Sequence, residues 1–280
     1  MMTLKDVARY ADNVVFTDSY GSATFRGQVL LFNDSTRSGP AAKRRILDVA
    51  PEVTIPTRRT ITDATTGIVY LVSVASYDYY NGVPIRAKYP IVPSEGQATV
   101  RTIGQVLSNT GGTTDLYVDF SYLRRVVTEE KSAFEQGFDV YFSRYHSISA
   151  GDIVVFGGKY YRARQDSRYD EVGFSAVEVL QLTSPVVSLT YQAQGTFVPS
   201  TDSYTSPVTI AAVSCFVESV FFDFVHEALG YIKLEPGDRA ISFLKTTVTS
   251  VKVGDTVGTY KILSVTSNSG FWTCHGRKVA

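Results

Sequence analysis

The chain has 280 residues, with 27 Lys plus Arg against 27 Asp plus Glu, so its formal net charge is zero. Proteins that coat nucleic acid by neutralising phosphates are normally basic, so the balance argues against that role and leaves only local basic patches open. Charged residues are 19% of the chain against roughly 25% in ordinary soluble domains, which points to a surface rich in Ser, Thr and Tyr and partly covered by partners.

The N-terminus predicts a short amphipathic helix. Leu4, Val7, Ala8, Ala11 and Val14 recur at helical spacing, and Thr3 is placed to cap it. After Asn13, short runs of Val, Ile, Thr, Tyr and Phe alternate with Gly, Asp, Asn, Ser and Pro, the pattern of many short strands in sandwiches or small barrels. The expected fold is therefore mainly β: short-stranded β-barrel or sandwich modules with a short N-terminal helix. The first strands fall at Asn13–Thr17, Ala23–Phe32, Thr60–Ile61, Ile68–Ala75 and Pro84–Ile91. A polar loop, Asn33–Arg45, separates the second of these from Ile46. Ser121–Phe134 reads as a second helix through Tyr122, Val126 and Val127, although Arg124 to Val127 fits a strand as well.

Three stretches look alike. Thr66-Gly-Ile-Val-Tyr-Leu-Val and Gly157-Gly-Lys-Tyr-Tyr-Arg-Ala align without gaps, matching Gly67 with Gly158, Tyr70 with Tyr161, Ser76 with Ser167 and Gly82 with Gly173. Val257-Gly-Thr-Tyr-Lys-Ile-Leu aligns Tyr260 with Tyr161 once a residue is dropped. Gly-Asp pairs lie upstream of the last two, at Gly151-Asp152 and Gly254-Asp255, with a further pair at Gly237-Asp238. Each stretch describes a hairpin: Gly-Asp opens a strand, glycine supplies φ > 0 at the reversal, and an aromatic strand returns. Internal duplication and independent hairpins both account for the likeness. Turn-rich stretches at Val92–Gly96, Ser108–Thr114 and Gln192–Pro207 divide the chain into expected modules of residues 1–100, 101–185 and 186–280.

The inventory of reactive side chains is small. With two cysteines (Cys215, Cys274) and three histidines (His146, His226, His275), no three- or four-cysteine zinc site can form within one chain, and the spacings fit no zinc pattern. Two cysteines make no disulfide framework, so free thiols are expected. Met1–Tyr10 carries Lys5, Asp6 and Arg9 and lacks the apolar core of a signal peptide. The most apolar stretch, Ile210–Val225, is interrupted by Glu218 and Asp223 and is too short to span a bilayer. Walker, dinucleotide, Gly-x-Ser-x-Gly and His-Glu-x-x-His patterns are all missing from the sequence. Cys274 and His275 are neighbours on a predicted strand, where adjacent side chains face opposite ways and form no dyad. Asp255 lacks the Asp-x-Asp-x-Asp-Gly spacing of a calcium loop, so the Gly-Asp turns read as scaffolding. No cofactor and no catalytic set is expected. The one basic cluster is Arg37, Lys43, Arg44 and Arg45, with Arg58-Arg59 beyond it; it is a candidate partner- or DNA-facing loop, or a solvated loop. Tyr77-Asp-Tyr-Tyr80 and Tyr160-Tyr161 are candidates for stacking on sugars.

Two regions, Tyr141–Leu182 and Leu234–Arg277, resemble the head–tail joining proteins of tailed bacteriophages: the stopper, adaptor and head-completion class. The resemblance is carried by Ile148-Ser-Ala-Gly-Asp-Ile-Val-Val-Phe-Gly-Gly-Lys-Tyr-Tyr161, by Leu234-Glu-Pro-Gly-Asp-Arg-Ala-Ile241, and by Val253-Gly-Asp255 with Thr259-Tyr-Lys-Ile-Leu-Ser-Val265. It covers about a third of the chain and consists of turns and strands. It implies a non-enzymatic virion protein made in the host cytoplasm, oligomeric around an axis with six or twelve copies. Such a protein joins portal to tail and has non-specific contact with packaged DNA and none with a membrane. A tail nozzle, a baseplate component or a receptor-binding component is the alternative the same features leave open.

Overall fold

The computed structural model describes residues 14–18, 24–31, 44–55, 60–123, 137–143, 146–169, 173–183, 185–195, 197–220, 235 and 237–279. It is mainly β, as the strand-length runs of Val, Ile, Tyr and Phe predict. The expected N-terminal helix lies outside the described residues. The expected helix over Ser121–Phe134 is corrected at its start, because Ser121, Tyr122 and Leu123 end a strand; the remainder lies outside the described residues.

Seven strands come first: β1 (Val14–Asp18), β2 (Thr24–Leu31), β3 (Arg45–Val49), β4 (Thr60–Asp63), β5 (Val69–Val72), β6 (Ser76–Tyr80) and β7 (Val83–Pro93). Their order is β3-β2-β1-β4-β5-β7-β6, and β3 also pairs with β7. That return pairing closes six strands into a barrel and leaves β6 outside it. Inward residues Phe16, Leu47, Val49, Ile61, Tyr70, Val72, Tyr89 and Ile91 fill the core. Gly27 lies opposite Val49, and a Cβ added there would stand 2.7 Å from Val49 Cγ1 and 2.9 Å from Leu47 Cδ1.

The next seven are β8 (Gly96–Arg101), β9 (Thr113–Leu123), β10 (Gly137–Phe142), β11 (Ile153–Phe156), β12 (Lys159–Ala163), β13 (Arg168–Tyr169) and β14 (Ser175–Leu182). Their order, β10-β9-β8-β11-β12-β14-β13 with β10 also on β14, repeats the first strand for strand. The last eight are β15 (Val186–Ala193), β16 (Phe197–Val198), β17 (Ser203–Tyr204), β18 (Val208–Ser219), β19 (Arg239–Leu244), β20 (Thr256–Val257), β21 (Tyr260–Ser267) and β22 (Phe271–Lys278). Six of them close a barrel, β15-β18-β19-β22-β21-β20, with β16 and β17 as a separate hairpin. Read as a cycle, this is the same order again. It lacks the appended sixth strand and has a hairpin inserted after the first. Its core holds Tyr191, Val213, Cys215, Ile241, Phe243, Val257, Ile262 and Cys274.

The three look-alike hairpins occupy the same place in each repeat, between the fourth and fifth strands. Tyr70 pairs with Ile61, Tyr161 with Val154 and Tyr260 with Val257. In the second and third repeats the Gly-Asp pair clasps the far end identically. Gly151 N–H donates to the Ala163 carbonyl, and Ala163 N–H donates to that of Asp152; Gly254, Ile262 and Asp255 make the same two bonds. Both glycines have φ near +90°, where a side chain would strain the turn.

The chain forms two compact units, Met1–Thr99 with Thr113–Ala150 and Gln165–Gln181, and Val100–Gly112 with Gly151–Arg164 and Leu182–Ala280. In the first unit, Leu71 and Val92 are cross-strand partners on the outer face of the first barrel. They are buried against Phe174, Tyr117 and Tyr141. In the second unit, the outer residues Ile153, Val155 and Tyr160 of the β11–β12 hairpin pack with Leu182 against Phe216, Leu244 and Phe271 of the closing barrel.

A short helix, α1 (Ile103–Ser108), seals that second cluster with Ile103, Val106 and Leu107. Thr102 and Gln105 form a reciprocal capping box, and Asn109 ends the helix in the left-handed conformation. The sequence reading missed this helix, though Thr102-x-x-Gln105 was a legible start signal. Among the described residues no helix is long and apolar enough to cross a membrane.

The close approach at Gly27 gives the first test. Gly27→Ala should destabilise the first barrel by about 1–3 kcal/mol through overpacking, read as a lower urea midpoint with unchanged slope.

Candidate functional site

Of the basic cluster, Arg37 and Lys43 lie outside the described residues, as do Arg58 and Arg59. Arg44 and Arg45 stand at the start of β3 and are half-buried. Arg45 lies close enough to the buried Tyr70 to oppose the rise that burial imposes on the phenol. His226 also lies outside the described residues, and His146 is half-buried in a loop.

The aromatic candidates separate. The β6–β7 hairpin turns at Asn81-Gly82, both with positive φ, as a two-residue hairpin requires. It exposes Tyr79 (64%), Tyr80 (62%) and Val83 (61%), with Tyr77 6.4 Å from Tyr79 by ring centroids. Asp78 and Lys88 form an ion pair at 2.7 Å on the same hairpin. Tyr169, on the corresponding strand β13, is equally exposed. Tyr161 is buried and Tyr160 packs into the cluster beneath α1, which corrects the expectation that this pair is free to stack on sugars.

The ionisable groups that sequence reasoning set aside are gathered in the closing barrel. The Asp255 carboxylate is buried and saturated. It accepts from Tyr191 Oη and Lys252 N–H (2.7 Å) through Oδ2, and from Gln194 N–H (2.8 Å) through Oδ1. Burial, reinforced by the bond to Asp255, pushes the Tyr191 phenol up. The first barrel shows a related clasp. Asp63 accepts from Thr65 N–H, Thr66 N–H and Thr66 Oγ1. Burial raises its carboxyl, and these bonds outweigh that and hold it below the usual range.

Asp238, from the second Gly-Asp pair of this region, organises the other face. Its carboxylate accepts from His275 Nε2 (2.7 Å), from Arg277 Nε (3.1 Å) and Nη2 (3.0 Å), and from Glu235 N–H (2.9 Å). Burial alone would raise it; the bonds from Arg277, Glu235 and His275 prevail and bring it down to about 2. An ionised Asp238 only accepts, so the His275 Nε2 carries the proton. The other ring nitrogen, Nδ1, is buried without a hydrogen-bond partner. His275 is fully shielded from solvent, so this Asp–His pair has the orientation of a catalytic base but no path to a solute. Cys274 faces the barrel interior, and burial lifts both it and Cys215 to about 12, far from thiolate chemistry.

Arg162 and Glu218 make a buried ion pair at 3.1 Å, with side chains 5% and 2% exposed. Burial pushes Glu218 up to about 7 against the pull of Arg162. The guanidinium is itself lowered by burial, opposed by Glu218 and Asp152. Among the described residues no group of three His, Cys, Asp or Glu side chains is placed to hold a metal ion. The arrangement is one of internal clasps and an exposed aromatic hairpin, suited to holding modules and presenting surface.

Comparison with protein-family models, with curated proteins and with solved structures gave no match.

Two outcomes follow from the clasps. Asp255→Ala should cost about 3 kcal/mol, because three donors lose a charged acceptor inside the barrel; thermal unfolding should show this with no response to added calcium in either protein. For the ion pair, folded Glu218 binds its proton with a value of about 7 against 4.5 for the free carboxyl. The folded state therefore holds more protons across that window, and stability should fall as pH rises from about 4.5 to 7. Glu218→Gln should flatten that slope. Arg162→Met alone should cost about 3–5 kcal/mol, and Arg162→Met with Glu218→Leu much less.

Proposed function

We propose that this chain is a structural protein of a tailed-bacteriophage virion. It forms part of the head-to-tail interface, a neck, stopper or adaptor ring that joins portal to tail and retains or channels DNA. The observation that carries this reading is the recurrence of one barrel topology with a Gly-Asp hairpin at a fixed place, since those hairpins carry the resemblance to head–tail joining proteins. The buried ionisable clusters support it too, because Asp255 with Tyr191, Asp238 with His275, and Arg162 with Glu218 are each shielded from solvent and spent on holding strands. In this role the protein is catalytically silent. It assembles as a ring, six or twelve copies, between portal and neighbouring tail proteins, after synthesis in the host cytoplasm. The segment joining β2 to β3 docks on a neighbour. Where that segment faces packaged DNA, Arg37, Lys43 and Arg44 on it, with Arg45 at the start of β3, meet phosphates without reading sequence.

The exposed Tyr77, Tyr79 and Tyr80 favour one second reading, a saccharide-binding component of the tail nozzle or baseplate. Deleting the gene separates the two. Heads should fill with DNA and then leak it or fail to gain tails. Normal, infectious particles without the protein overturn the proposal, and filled, tailed particles that no longer adsorb favour the second reading.

A further inference from the structure

The chain contains the same inter-module joint twice. In each, the paired residues just beyond the hairpin tyrosine turn outward on the fourth and fifth strands. They are Thr60 with Leu71 in the first repeat and Ile153 with Arg162 in the second. All four are buried. Leu71 and Arg162 each meet an outward residue on the second strand of the following repeat. Tyr117 lies beside Leu71, and Glu218 grips Arg162. A shared pattern marks the covering strand: Leu116-Tyr-Val-Asp119 and Cys215-Phe-Val-Glu218 each put an aromatic and a carboxylate outward around an inward valine. The third repeat carries the corresponding pair, Thr256 with Lys261, on β20 and β21. Here Thr256 is half-covered and Lys261 is exposed, beside the exposed Val253 and Val279. The first repeat carries the corresponding covering strands, β2 and β3, whose outward pairs are Gln28 with Asp48 and Leu30 with Ile46.

We propose that the joint is used a third time, between molecules: the Thr256–Lys261 face of one copy docks on the outer β2–β3 face of the next. The occupant is a second copy because the interface continues one already made twice within the chain, and because it preserves the sign of the contact. Lys261 stands where Arg162 stands; the carboxylate facing it is Asp48, on the third strand of the repeat where Glu218 is on the second, and Arg86 holds it at 2.6 Å. Two different faces meeting across copies make a heterologous contact, which closes into a ring when its rotation permits. The proposal rests on the ring reading above and specifies its contact.

The test uses the full chain with mass photometry across concentration and cysteine cross-linking; the native Cys215 and Cys274 are buried and inert. Wild type should oligomerise, and Lys261→Glu should shift the association midpoint at least tenfold. Lys261→Cys mixed with Asp48→Cys should give a disulfide dimer that neither variant forms alone. Lys261→Glu combined with Asp48→Lys should restore part of the assembly. Oligomers unchanged by Lys261→Glu and lacking the mixed cross-link overturn this joint and leave the ring reading standing. A wild type that is monomeric at every concentration overturns the joint and the self-assembled ring alike.

Discussion

Closure of the barrel is the constraint on which the other features depend. Each repeat ends with a long strand that returns to pair with the third strand, as β7 does with β3 through five consecutive residue pairs from Arg45–Ile91 to Val49–Ala87. Once the ring is closed, no strand within it has a free edge, and every residue points either into the core or outward. A six-stranded barrel has a narrow interior. That explains why Gly27 is needed opposite Val49, and Gly276 opposite Ile262, where a Cβ would meet the neighbouring core side chains. It also explains why β6 hangs outside the first barrel with both of its faces open. Its tyrosines have no interior left to fill.

Closure moves the energetic question to the outer faces. An inward face is satisfied within the repeat, but outward Leu71, Val92, Ile153 and Phe216 are fully apolar or nearly so and must be covered by something else. The chain covers them with the outer face of another strand set. The two joints solve the same geometry with different chemistry: Leu71 against tyrosines in one, Arg162 against Glu218 in the other. The ionic version is the weaker choice for stability, because desolvating both charges offsets much of their attraction. It is the more selective one, since a buried arginine tolerates few neighbours other than a carboxylate. Asp238 follows the same logic outside the barrel, where one carboxylate accepts from both His275 and Arg277.

Much of the fold was legible because it is local. Strand lengths, the Gly-Asp openings and the aromatic return strands all follow from alternation and turn chemistry within about ten residues, so five of the first seven strands and the three hairpins could be placed from residues alone, while β3 and β6 were not. The likeness of Tyr70, Tyr161 and Tyr260 proved to be an equivalence of position, each pairing across the same hairpin. The helix at Ile103–Ser108 was missed because six residues carry too little periodicity to stand out, although its capping box was present. The helical spacing of Tyr122, Val126 and Val127 points to a helix from Ser121, whereas Ser121–Leu123 end the long strand β9.

The buried clasps were not legible at all. His275 and Asp238 are 37 residues apart, and Tyr191 and Asp255 are 64 apart. Period-two alternation says that Cys274 and His275 face opposite ways, and they do. It cannot say which side is the core or what waits there. The sequence by itself determined the kind of element, the turn chemistry, the absence of a reactive motif and the recurrence of one hairpin. Those depend on backbone preferences that a residue expresses among its near neighbours. Only the tertiary structure decided the strand order, the closure of the rings, the burial of Tyr161 against the exposure of Tyr79, and the pairing of Arg162 with Glu218. The physical reason is that a side chain's charge and size are its own, whereas its solvent and its partner are supplied by strands that arrive from elsewhere in the chain.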